Sequence, residues 1–404
     1  MPRCFWSCLA VCASWFVAAA SVGAAEFDGS VLRELRGALQ RFVDEEVVAG
    51  AVAVVGSKAG IAHIEAVGYQ SWETKKPMSM DVLFRIASMT KPITALAVMQ
   101  LQEAGRLAVH DPVENYLPEF RGQMLAVKKD NMVALVKPSR PITIRDLLTH
   151  TSGLPGGYPA GYDNLYNTRQ LTLRESILLQ SQRPLDFEPG SRWAYCNAGI
   201  DTLGRIVEVV SGESYSDYLT RHIFGPLEMF ETTPFVRPDQ RVRVAGLYEQ
   251  RQGQLVAAQR PLIGLEEGSR HPVPAGGLLS TGPDLARLYQ CLLNGGEWNG
   301  RRLIKPETLQ EMTKVQTGDL TTGFVPGMGF GYGFAVVREP QGVTAMLSPG
   351  SYGHGGAFGT QGWLDPHQDV FVILLVQRVG LPNADGSEIR RVVQDIAVKA
   401  LRKP

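Results

Sequence analysis

Strand-like runs sit near both ends of this chain with helical patterns between them, and that arrangement limits how a sheet can be assembled. Gly50–Gly56 and Ile61–Val67 flank the turn signal Ser57-Lys58-Ala59-Gly60, which predicts one hairpin. Phe358–Leu364 and Val370–Val376 flank Asp365-Pro366-His367-Gln368, which predicts a second. Amphipathic helices are expected over Ser30–Glu46, with Leu32, Leu35, Leu39, Phe42 and Val43 on one side, and over Ser387–Arg402. Leu83–Gly105 contains a long apolar helix that Gly105 should end, and Asn197–Val210 a further helix closed by Gly212. The rest of the middle alternates helical patterns with loops rich in Gly, Pro and Tyr. The expected fold is α/β in the α+β sense: an antiparallel sheet built from both chain ends, flanked by helices, with an inserted and mostly helical lobe. The α/β lobe is expected over about 26–80 and 275–404, and the helical lobe over about 81–274. A cleft between such lobes is where a ligand is expected.

The 404 residues, 44% of them hydrophobic, are enough to bury a sizeable core and argue against disorder. Lys plus Arg equals Asp plus Glu at 40 each, and the pI is near 7.1, so the basic footprint of a nucleic-acid or acidic-lipid binder is missing. Arg3, the apolar run Cys4–Val22 and the small residues Val22-Gly23-Ala24-Ala25 have the pattern of an export signal, with a membrane anchor as the other reading. Cleavage would leave residues 26–404 without stable membrane insertion, in the periplasm or secreted. Three of the five Cys leave with that segment. Cys196 and Cys291 remain, expected as buried thiols with a bridge as the alternative. No Cys or His spacing supports a metal site, and no cofactor is expected.

Three short motifs can carry chemistry. Ser88-Met89-Thr90-Lys91 is the one S-x-x-K in the chain, and Pro92 behind it requires a helix to begin close to Ser88. Ser88 then sits at a helix N-terminus with Lys91 one turn on, on the same face. A nucleophile with its proton acceptor and a mere helix-capping serine are both compatible with this motif alone. Tyr195-Cys196-Asn197 stands just before the helix at 198–210. Tyr195 beside cationic Lys91 is expected as a phenolate, and Asn197 as a holder of the Lys91 side chain and a substrate carbonyl. Tyr162-Asp163-Asn164 has the same spacing, but no strong helix follows it, so Tyr162 is expected only to line the cleft. In Gly353-His354-Gly355-Gly356-Ala357 the glycines permit close approach of backbone to substrate. The Ala357 N–H together with the Ser88 N–H would form an oxyanion hole.

S-x-x-K, Y-x-N and H-x-G, in that order, resemble the serine β-lactamase and penicillin-binding-protein superfamily. The resemblance is nearest to class C β-lactamases, D-aminopeptidases, DD-carboxypeptidases and the β-lactamase-like carboxylesterases. Leu147–Leu154, Phe187-Glu188-Pro189-Gly190 and Ala275–Thr281 extend it over nearly all of residues 30–404. It implies a β-lactamase/transpeptidase-like fold and an acyl-enzyme on Ser88. Lys91 would activate Ser88, Tyr195 would protonate the leaving group, and Asn197, His354 and Gly356 would bind or position substrate. His354 stands where β-lactamases usually carry a lysine, and Lys58-Ala59-Gly60 is no substitute because it lies on the first hairpin turn. A small ester, amide or D-amino-acid compound is the implied substrate, with a carboxylesterase-like activity leading. β-Lactamase or D-amino-acid peptidase activity, and a penicillin-binding sensor or inactive binding protein, are the alternatives. An imidazole of ordinary pKa, about 6.5, is expected to be a neutral hydrogen-bond donor at pH 8 and to gain charge toward pH 6.

Overall fold

A computed structural model describes residues 24–402 apart from 131, 160, 163–164, 260–262, 266 and 383. Residues 1–23 of the expected export segment, and Asp163 and Asn164 of the second Y-x-N, therefore lie outside the described residues.

Both chain ends do build one sheet. Its strands are β1 (Gly50–Ser57), β2 (Gly60–Ser71), β3 (Lys76–Pro77), β4 (Met328–Phe330), β5 (Ala335–Val337), β6 (Tyr352–Gly355), β7 (Gln361–Asp365) and β8 (Val370–Leu375). They run in the order β4-β5-β6-β7-β8-β1-β2-β3, every neighbour antiparallel. The two terminal segments join where Val52 pairs with Leu375 and Val54 with Ile373. The second hairpin is shorter than expected, because Phe358 lies in a turn and not in a strand. The N–H of Gly356 donates to Thr360 O at 2.7 Å, which delays pairing until Gln361.

Strand alternation explains why β1 is apolar throughout. Ala51, Ala53 and Val55 face α1 (Glu34–Asp44), which packs there through Leu35, Leu39, Phe42 and Val43. The C-terminal helix covers the same face with Ile389, Val393, Ile396 and Ala397. Val52 and Val54 face the other way, into a core shared with Phe371, Ile373 and Leu375. The expected first helix is broken at Arg33 into Gly29–Leu32 and α1.

The larger core runs without interruption from the sheet into the helices of the middle segment. Among these are α2 (Thr90–Glu103), α3 (Asn197–Ser211) and α4 (Gly282–Leu293). The last helix is α5 (Glu388–Lys399). Before α2 the chain is not helical as far back as Leu83. Phe84–Arg85 pairs with Leu279–Ser280, and a 3-10 turn at Ala87–Met89 follows. α2 and α3 stop where Gly105 and Gly212 adopt φ of 66° and 78°. Among the described residues no helix is long and apolar enough to cross a membrane.

Gly204 sets how closely α3 approaches the segment before α4. A Cβ there would lie 2.2 Å from Pro274 Cγ, so only glycine admits the contact. Gly204→Ala is expected to cost about 1–3 kcal/mol in urea unfolding, the usual range for overpacking. The exposed Gly37 on α1, with open space around it, is the control. Gly37→Ala should stabilise by about 0.5–1 kcal/mol.

Candidate active site

The 3-10 turn presents Ser88 immediately before α2, and Pro92 falls in the first helical turn, where its missing N–H costs nothing. Ala87, just before Ser88, holds a left-handed φ of 46°. Its neighbour Ile86 is pinned by its own N–H to Leu278 O at 3.0 Å and by Thr360 Oγ1, which donates to Ile86 O at 3.2 Å.

Lys91 is completely buried, at 0% exposure. Its Nζ donates to Ser88 Oγ at 3.0 Å and to Ala275 O at 2.6 Å. Burial pushes the amine down to about 7, while Asp201 pulls the other way. Ala275 belongs to the 275–281 segment, whose Leu279–Ser280 pairs with Phe84–Arg85 beside the Ser88 turn.

Tyr195 lies over this pair, its ring centroid 4.6 Å from Lys91 Nζ and its hydroxyl bonded to Ser88. The expected phenolate is not favoured: burial drives the phenol well above its ordinary range, and the Ser88 hydrogen bond opposes this only in part. Tyr195 is a neutral phenol. Asn197, the first residue of α3, makes no hydrogen bond to Lys91 through its side-chain oxygen. Its Oδ1 is buried with no hydrogen-bond partner. Tyr162 is 40% exposed on its loop.

Gly356 lies against the Ser88 turn, where a Cβ would sit 2.6 Å from Ile86 O. Ala357, the next residue, is exposed. His354 on β6 is 4% exposed, and its Nδ1 lies 2.6 Å from Gly355 O. A carbonyl oxygen only accepts, so Nδ1 carries the proton and Nε2, buried without a partner, presents a lone pair. Two expectations are thereby corrected. The free nitrogen is an acceptor and not a donor, and the ring does not charge near pH 6. Burial, with the Lys91 charge second, pushes it down to about 3.

Two residues not singled out from the sequence complete the arrangement. His150, in the left-handed region at φ 60°, grips the backbone on both sides of Tyr195. Its carbonyl accepts from Ala194 N at 2.9 Å, and its Nδ1 from Cys196 N at 3.1 Å. Its ring lies 4.6 Å from that of Tyr195, and Phe324, Phe330 and Trp193 extend the aromatic wall outward. Asp201, four residues after Asn197 on α3, is buried beneath Lys91's partner Ala275, whose N–H it accepts at 2.8 Å. The i, i+4 spacing from Asn197 was the available signal for Asp201. For His150 it was the Leu147–Leu154 segment. Cys196 and Cys291 are both buried, unbridged thiols, and Cys196 Sγ caps α3 by accepting from Gly199 N at 3.4 Å.

A family model described as Beta-lactamase matches residues 35–396. Esterase EstB of Burkholderia gladioli is 31% identical over 376 residues, covering 86% of this chain and 90% of that protein. Penicillin-binding protein 4 of Amycolatopsis lactamdurans is 30% identical over 303 residues, covering 75% and 73%. Among solved structures, EstCE1, a hydrolase with promiscuous acyltransferase activity, superposes with a TM-score of 0.77 at 27% identity, covering 91% of this chain and 98% of that one. With a match over most of its length, a sheet made from both ends and a serine–lysine pair at a helix start, this chain belongs to the beta-lactamase family of serine hydrolases.

Proposed function

We propose that the protein is an exported carboxylesterase-like enzyme that cleaves small neutral esters through an acyl-enzyme on Ser88. The observation that carries this reading is His354. At the position where the superfamily's β-lactamases usually present a cation, the chain offers a buried neutral ring whose unprotonated nitrogen has no partner. A substrate carboxylate gains nothing there, whereas an uncharged ester is tolerated. The similarity to EstB and EstCE1 supports the same reading.

In this mechanism Lys91, a free amine above about pH 7, takes the proton from Ser88 Oγ as that oxygen attacks the ester carbonyl. The Ser88 and Ala357 N–H groups hold the oxyanion. Tyr195, protonated and bonded to Ser88, passes its proton to the leaving alkoxide and is reprotonated from Lys91. Water then cleaves the acyl-enzyme along the reverse proton path.

A fluorophosphonate probe is expected to label wild type once, at Ser88, and to leave Ser88→Ala unlabelled in intact-protein mass spectrometry. Equal labelling of both would remove Ser88 from the mechanism. Tyr195→Phe should lower kcat by roughly two to four orders of magnitude, the range for a lost general acid–base. Tyr162→Phe should act mainly on KM.

Because the base must be unprotonated, kcat/KM for p-nitrophenyl butyrate should be about tenfold lower at pH 6 than at pH 8, for a base near 7. His354 stays neutral over that span, so KM for nitrocefin should not improve on acidification, and butyrate should be preferred throughout. A nitrocefin preference at pH 8 would favour the β-lactamase alternative. One equivalent of product followed by arrest would indicate a sensor.

A further inference from the structure

Lys91 is not the only ionisable group sealed beneath Ser88. Asp201 on α3 is 1% exposed, and among the described residues no ion pair neutralises it by direct contact. Its Oδ1 accepts from Ala275 N at 2.8 Å, and the carbonyl of the same Ala275 accepts from Lys91 Nζ at 2.6 Å. Acid and amine thus grip the two ends of one residue. The other carboxylate oxygen accepts from the Tyr166 hydroxyl and from Tyr158 at 3.3 Å, both on the 156–168 segment. Thr94 Oγ1 donates to Pro274 O at 2.7 Å and fixes the residue before Ala275. Burying a carboxylate costs several kcal/mol unless it is compensated, so its place under the amine calls for a reason.

We infer that Asp201 is a positioning residue for the base: it holds the Ala275 carbonyl on Lys91 and supplies the anion that keeps this buried amine basic enough to take the Ser88 proton. The other titratable groups around Lys91 leave this role to Asp201. Cys196 is pushed up to about 11 and stays a thiol. His150 and His354 are pushed down and stay neutral, and Tyr195, Tyr158 and Tyr166 are pushed up and stay phenols. Asp385 acts on Tyr195 and not on the amine. Asp201 itself is raised by burial to about 6, so amine and acid titrate as a pair. Removing the anion leaves burial unopposed and weakens the base.

This rests on Lys91 being the base, so that reading needs its own arm: in Lys91→Ala the acid limb of kcat/KM should vanish along with most of the activity. A residual activity with the wild-type limb would refute the base and the role of Asp201 with it, whereas a limb lost in Lys91→Ala but unmoved in Asp201→Asn overturns the role of Asp201 alone. Asp201→Asn keeps an oxygen for Ala275 N, removes the charge and places an NH2 where the Tyr158 and Tyr166 hydroxyls now donate. Its acid limb for p-nitrophenyl butyrate should move to lower pH by about one unit, with kcat reduced on the plateau and KM little changed. A merely structural role would lower kcat or stability and leave the limb where it was, and that result overturns the inference. If Asp201→Asn does not fold, Tyr166→Phe decides. It removes one hydrogen bond that keeps Asp201 ionised, so a smaller shift in the same direction supports the role and an unmoved limb overturns it.

Discussion

The whole arrangement depends on one amine being kept out of water. A lysine at zero exposure is expensive as a cation, and the protein resolves this by letting the group sit near neutrality between Ser88 Oγ and a single backbone carbonyl. Once Lys91 is there, the neighbours are constrained. Tyr195 must be a phenol, because the same dry surroundings exclude its anion. The two histidines must be neutral, because an added charge would face both burial and the lysine. A site with an uncharged amine, an uncharged phenol and uncharged imidazoles is suited to moving protons without gathering anions.

The backbone serves the same end. The segment around Ala275 touches α2 through Lys91, α3 through Asp201 and the strand before Ser88 through Leu278 and Leu279. It is the place where the helical part of the chain and the sheet part are registered against each other. Gly204 lets α3 reach it, and Gly356 lets the end of β6 reach the Ser88 turn from the opposite side.

Much of this was legible in the sequence where spacing alone decides geometry. Ser88 and Lys91 fall on one helical face by periodicity, Pro92 marks the helix start, and the two hairpins declare themselves by their turns. Tyr195 could be told from Tyr162 by the helix that follows it. What could not be read depends on burial and on contacts between distant segments. Burial decides the ionisation of both rings: it outweighs the Lys91 charge that favours a Tyr195 phenolate, and it removes the ordinary pKa expected of His354. The polarity of His354 follows from one carbonyl 2.6 Å away, which no residue pattern announces. Asp201 and His150 went unassigned for the same reason. Their partners, Ala275 and Cys196, are 74 and 46 residues away.

The sheet's construction also has a consequence for how the molecule comes into being. β1 is completed on one side by β2 at once, but on the other only by β8, and Lys58 N–H waits for a carboxylate 311 residues further on. That one pairing spans most of the chain, and such a contact forms slowly because loop-closure entropy must be met before the pairing rewards it. Until β8 arrives, the first hairpin has an apolar edge with nothing beside it, an invitation to wrong pairing between chains. The nucleophile is made early in synthesis. The strand that brings His354 and Ala357 to it is made late, so a chain in progress carries a serine but no finished site.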